Sequence, residues 1–175
     1  MPALRNAIAM SVVLRAMGAD QGEPLTGEEE DAMLANARLL RDATETGQAG
    51  SLLRDKFIGL LAEDDDGEKA ELFKGAALAL GARVAHIRPS LGERSDARVV
   101  RETARMLGRL YDAIECQGQP AALVARLREA AAVPVFDELS SSAHLTGALA
   151  ERLGAGSGIE GRRFVVQVVL MSTLH

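Results

Sequence analysis

The chain has 175 residues and a mass of 18.5 kDa, enough for one domain with a real core and short for two. Apolar residues make up 47% and charged residues 26%, which excludes disordered and collagen-like chains. Lys and Arg total 20 against 25 Asp and Glu, a net charge of −5, and aromatics are only 3% with no Trp; both features argue against nucleic acid as the main partner.

Residues 2–17 are rich in Ala and other apolar side chains, with Arg5 and Arg15 as their only charges. Asn6 and Ser11 interrupt them, so the spacing predicts a helix and not an export signal. Gly18 and Gly22-Glu23-Pro24 end it. Residues 1–24 are therefore expected to form a helical extension that packs against something, another chain included. Thr26 followed by Glu29 is a capping box, and Glu28 to Asp31 bring negative charge to a helix start. Met33, Leu34, Ala37, Leu40 and Ala43 repeat at helical spacing, and Thr46-Gly47 closes that helix.

The period then changes. Lys56-Phe57-Ile58-Gly59-Leu60-Leu61-Ala62 is a short continuous apolar run, typical of a strand buried on both faces. An acidic stretch, 63–66, leads to a helix with Leu72, Phe73, Ala76, Ala77 and Leu80 on one side and Gly81 at its end. Residues 83–87 read as a second strand, 95–110 as a charged helix, and 112–116 as a third, less apolar strand. A helix follows over 120–131 with Pro at its start, then a short fourth strand over 133–136 and a helix over 144–153. Residues 154–158 read as a flexible link, and the β-branched run 164–171 as a last strand.

Strands alternating with helices predict an α/β fold: a three-layer sandwich with an about four-stranded parallel sheet and helices on both faces. Ligands of such sheets bind beyond the carboxyl ends of the strands. Chemistry is therefore sought in loops 63–69, 88–95, 116–119 and 137–144. The lone cysteine, Cys116, cannot form an internal disulfide and fits a reducing cytoplasm. No apolar run approaches the roughly 20 residues of a membrane span, so no membrane partner is expected.

The acidic loop Glu63-Asp64-Asp65-Asp66-Gly67-Glu68 opens a helix. Its bland reading is an acidic cap favoured by the helix dipole. The sharper one is a site for a hard cation, but the spacing matches no dedicated calcium loop, and no metal ligands are assigned. His144 follows Ser140-Ser141-Ser142. A lone His near a helix start is usually a surface or capping residue. Ser141 with His144 makes only a loose nucleophile–base pair with no orienting third group, and Cys116 packs more naturally at a strand end than it acts as a nucleophile.

The order of segments resembles the aspartate/ornithine carbamoyltransferase family. Leu25-Thr26-Gly27-Glu28-Glu29 through Arg38-Leu39-Leu40 looks like its first helix, and Lys56 to Glu63 like the first strand of its carbamoyl-phosphate-binding domain. Phe73, Ala76, Ala77 and Leu80-Gly81-Ala82 fall at the spacing seen after its phosphate loop. Glu102-Thr103-Ala104-Arg105-Met106-Leu107 is similar to its D-T-A-R-V-L helix, with Tyr111-Asp112-Ala113-Ile114 as the following strand. Val133-Pro134-Val135, Leu139, His144 and Ala148-Leu149-Ala150-Glu151 resemble its V-P-V…H-P-x-Q-A-L-A-D segment. The resemblance spans about 25–153.

The resemblance implies a phosphate site at S-T-R-T-R, whose backbone amides and two arginines hold carbamoyl phosphate. That slot here reads Asp66-Gly67-Glu68-Lys69-Ala70, with both arginines gone. A third family arginine is replaced by Gln117. In H-P-x-Q the His is kept as His144, the family residue that polarises the carbamoyl carbonyl, while Leu145 replaces Pro and Gly147 replaces Gln. Residues 159–166 resemble the link and first strand of the family's second, amino-acid-binding domain, so 154–175 is expected to be a linker and strand left from that domain.

These departures imply a catalytically degenerate carbamoyltransferase-like domain, without cofactor, that acts as a structural or regulatory subunit. The implied partners are copies of itself, a homotrimer by family precedent, or a true carbamoyltransferase chain. Two alternatives stand beside it: a transferase that holds carbamoyl phosphate through Lys69, Arg88 or Arg94, and a small-ligand or cation-binding protein that uses the acidic loop and His144.

Overall fold

A computed structural model describes residues 26–47, 49–141, 145–153 and 158–174. The expected helix over residues 2–17 and His144 lie outside the described residues.

The first described helix, α1 (Gly27–Glu45), starts at the predicted capping box: Thr26 Oγ1 accepts from the Glu29 amide at 3.3 Å, and Glu29 Oε2 accepts from the Thr26 amide at 2.9 Å. The five apolar positions read from its spacing, Met33, Leu34, Ala37, Leu40 and Ala43, are all buried. After a 3-10 turn (Ala49–Ser51) the chain alternates: β1 (Phe57–Leu61), α2 (Glu68–Ala79), β2 (Arg83–Ile87), α3 (Ala97–Leu110), β3 (Ala113–Cys116), α4 (Ala121–Ala131), β4 (Val135–Asp137), α5 (Leu145–Arg152) and α6 (Gly158–Leu174).

The four strands form one sheet, all neighbours parallel, in the order β2-β1-β3-β4. The chain runs outward from β1 to β2, then returns to add β3 on the other side of β1. That reversal opens a crevice beyond the carboxyl ends of β1 and β3. Two apolar cores flank the sheet. Leu60, Ala113 and Phe136 face one formed with α1, α2, α5 and α6, while Leu61, Ile114, Cys116 and Val135 face the other, with α3 and α4. The predicted three-layer α/β sandwich is therefore the fold.

The C-terminal segment differs from its reading. Residues 164–171 are not a strand; they lie within α6, a 17-residue helix. Val165, Val166, Val168, Val169 and Leu170 are all buried, and α6 packs against α1, α2 and α5. A helix buried nearly all round shows no polar face, so its sequence carries no helical period. Burial of this surface outweighs the small helix penalty of β-branched residues. The segment completes the core on one side of the sheet as a helix and is not the expected strand.

Candidate functional site

The crevice is bordered by the start of α2, the turn after β3 and the loop between β4 and α5. Gly67 is the N-cap of α2, extended, exposed and without a side-chain cap. The acidic residues before it therefore do not cap the helix through hydrogen bonds. Glu63, Asp64, Asp65 and Asp66 are all exposed, and His86 Nδ1 lies 3.7 Å from Asp65 Oδ2. Among the described residues, no three His, Cys, Asp or Glu side chains stand close enough to hold a metal ion.

The slot residues are bound into the protein. Glu68 is exposed and pairs with Arg162 of α6. Lys69 Nζ donates to Glu138 Oε2 at 2.6 Å. Glu138, just after β4, has a left-handed backbone (φ 57°), and its Oε1 accepts from the Gly118 amide at 2.5 Å. One carboxylate thus ties the turn after β3 to the start of α2. Ala70 is only 2% exposed and packs in the core beneath α2, so it presents nothing to the crevice.

Gln117 is buried at the end of β3. Its Nε2 donates to Ser140 Oγ at 2.9 Å and to Glu115 Oε1 at 3.3 Å, and Ser140 Oγ donates to the Lys69 carbonyl at 2.8 Å. Glu115 Oε1 also accepts from the Leu139 amide at 3.0 Å, whereas Oε2 has no partner among the described residues. Thr146 Oγ1 donates to the Leu139 carbonyl at 2.7 Å, and Gly147 is buried in α5. The Ser141 amide donates to the Glu138 carbonyl at 2.9 Å.

Burial raises the Glu115 carboxyl well above the ordinary carboxylate range; the Gln117 hydrogen bond opposes this, and Glu138 adds to it. Burial also raises Asp137, against the attraction of Arg128, and pushes the Cys116 thiol far up, so Cys116 is no thiolate nucleophile. Sequence reasoning singled out Lys69 and Gln117 but missed Glu115. The available signal was a glutamate inside a strand with apolar residues on either side, where an ionisable group has no solvent.

An open parallel sheet with a polar crevice at its reversal point is the class of α/β domain that takes small ligands beyond its strand ends. The sequence model of the family described as aspartate/ornithine carbamoyltransferase, carbamoyl-P binding domain, matches residues 21–154, and the chain belongs to that family. Among solved structures, it is similar to ornithine carbamoyltransferase from Pyrococcus furiosus at 25% identity and a TM-score of 0.60, covering 73% of this chain and 41% of that one. Ornithine carbamoyltransferase from Thermus thermophilus matches at 26% identity and 0.56, over 72% and 43%. The catalytic subunit of M. jannaschii aspartate transcarbamoylase matches at 20% and 0.58, over 82% and 44%. The chain thus spans less than half the length of these solved relatives.

Proposed function

We propose that this chain is a catalytically degenerate carbamoyltransferase-like domain that works as a structural or regulatory oligomeric subunit. The observation that carries the reading is the state of the crevice. Its one cation in the phosphate slot, Lys69, is held by Glu138, and the residue in place of the third family arginine, Gln117, is bound to Glu115 and Ser140.

Charge-assisted hydrogen bonds contribute about 1.5–3 kcal/mol each. Losing the two slot arginines costs about 3–6 kcal/mol, or roughly a hundred- to ten-thousand-fold in affinity. Glu68 and Asp66 add repulsion against a phosphate dianion. The test is a carbamoyl-transfer assay with carbamoyl phosphate and either ornithine or aspartate. No turnover above the uncatalysed rate is expected; turnover that disappears in Lys69→Ala would show an active transferase with an altered anchor.

A further inference from the structure

We propose that the groove between α3 and α4 receives the acidic loop 63–66 of a second copy of this chain. The proposal rests on the oligomeric reading above and names the surfaces that assemble. α3 carries Arg98, Arg101, Arg105 and Arg109 at spacings of three, four and four, which is one side of a helix. Arg98 pairs with Glu102 at 2.9 Å. Arg101, Arg105 and Arg109 are exposed and pair with no carboxylate among the described residues.

These arginines border two adjoining hollows of about 410 and 430 Å³, which share Arg105 and Ala130. Arg126 of α4 stands on the far wall, fixed by its bonds to the Glu93 and Ser95 carbonyls. Four arginines there face two glutamates, Glu102 and Glu129. In a chain with a net charge of −5 this is a local surplus of positive charge against the sign of the whole. The floor cannot close, because the α3 and α4 backbones already touch at Gly108 and Ala131.

The complementary surface lies on the same chain. Glu63, Asp64, Asp65 and Asp66 are four exposed consecutive carboxylates; among the described residues Lys74 Nζ donates to the Asp65 carbonyl and the His86 ring lies beside the Asp65 carboxylate, while no ion pair joins Glu63, Asp64 or Asp66 to a Lys or Arg. Loop and groove are different surfaces of one chain, so the contact is heterologous and builds a ring where its rotation closes. Both surfaces are solvated, so the association weakens with salt.

Sedimentation velocity of the full chain over a concentration series, at roughly 0.02 M and 0.5 M salt, tests this. Association is expected at low salt and reduced at high salt. Arg101→Glu with Arg105→Glu should weaken it about tenfold or more, and Asp64→Lys with Asp65→Lys should do the same. All four changes in one chain should restore it, because the charges are exchanged. Arg109→Glu alone serves if a double variant fails to fold by circular dichroism. A monomer at every concentration, variants that leave association unchanged, or exchanged charges that fail to restore it would each overturn the proposal. So would an RNA oligonucleotide or acidic peptide that needs Arg101 and Arg105 while self-association does not. Titrating the same wild-type sample with carbamoyl phosphate keeps the two readings apart: binding overturns the degenerate-domain reading, whereas no binding together with charge variants that leave association unchanged overturns only this one.

Discussion

Lys69 and Glu138, 69 residues apart in the chain, meet at 2.6 Å across the mouth of the crevice. Glu138 reaches this position from a left-handed backbone and also holds the Gly118 amide. In an anion site, the lysine and the amides around it would be left for the ligand. Here a side chain of the protein takes the lysine and one amide.

Stability should depend on pH through Glu115. Its carboxyl is raised in the folded state from an ordinary value of 4.5, because burial disfavours the charge. Below that value it is protonated in both states and costs nothing. As pH rises past it, the unfolded chain loses the proton first, so the unfolded state binds fewer protons and stability falls until the folded carboxyl also titrates. Asp137 acts in the same sense. Glu115→Gln keeps an acceptor for Gln117 and the Leu139 amide and cannot ionise. Melting temperatures of both proteins between about pH 4 and pH 8 should show the wild type losing ground to the variant as pH rises. A constant difference would contradict this placement of Glu115.

Gly108 should tolerate no side chain. A Cβ there would lie 1.8 Å from the Ala131 carbonyl oxygen, a backbone atom that cannot turn aside. Gly108→Ala must push α3 away from α4, at about 3 kcal/mol or more. Thermal unfolding should drop by roughly 6–12 °C for a chain of this size. An unchanged melting temperature would mean that the two helices do not cross so closely.

The C-terminal helix should behave as core. Leu170 is fully buried in α6, on the side of the sheet that also holds Phe73 and Phe136. Leu170→Ala is expected to cost about 2–5 kcal/mol, read as a lower midpoint in urea. A chain ending at residue 157 loses all of α6 and should show a broad, non-cooperative transition. A sharp transition near the wild-type midpoint would place the segment outside the core.

The four strands and α1 to α5 were legible in the sequence because each carries a local signal. Thr26 and Glu29 mark a helix start, Met33 to Ala43 hold one period, and 57–61 form a short apolar run between breakers. The segment 164–171 misled because its β-branched residues favour a strand, a preference that burial within a helix overrides. A continuous apolar run is the mark of a buried strand and of a buried helix alike. The spacing of the resemblance assigns the slot to residues 66–70 as an expectation. It did not reveal that Lys69 and Gln117 are bound by Glu138 and Ser140, because these are long-range pairs, 69 and 23 residues apart, that only the folded chain brings together.

The central claim is that the crevice no longer accepts a phosphate dianion. Titrating the full chain with carbamoyl phosphate to roughly 10 mM, followed by calorimetry and by the phosphorus NMR signal of the ligand, tests it directly. No saturable heat and no change in the phosphorus line are predicted. Saturable binding with a dissociation constant in the micromolar range would contradict the account.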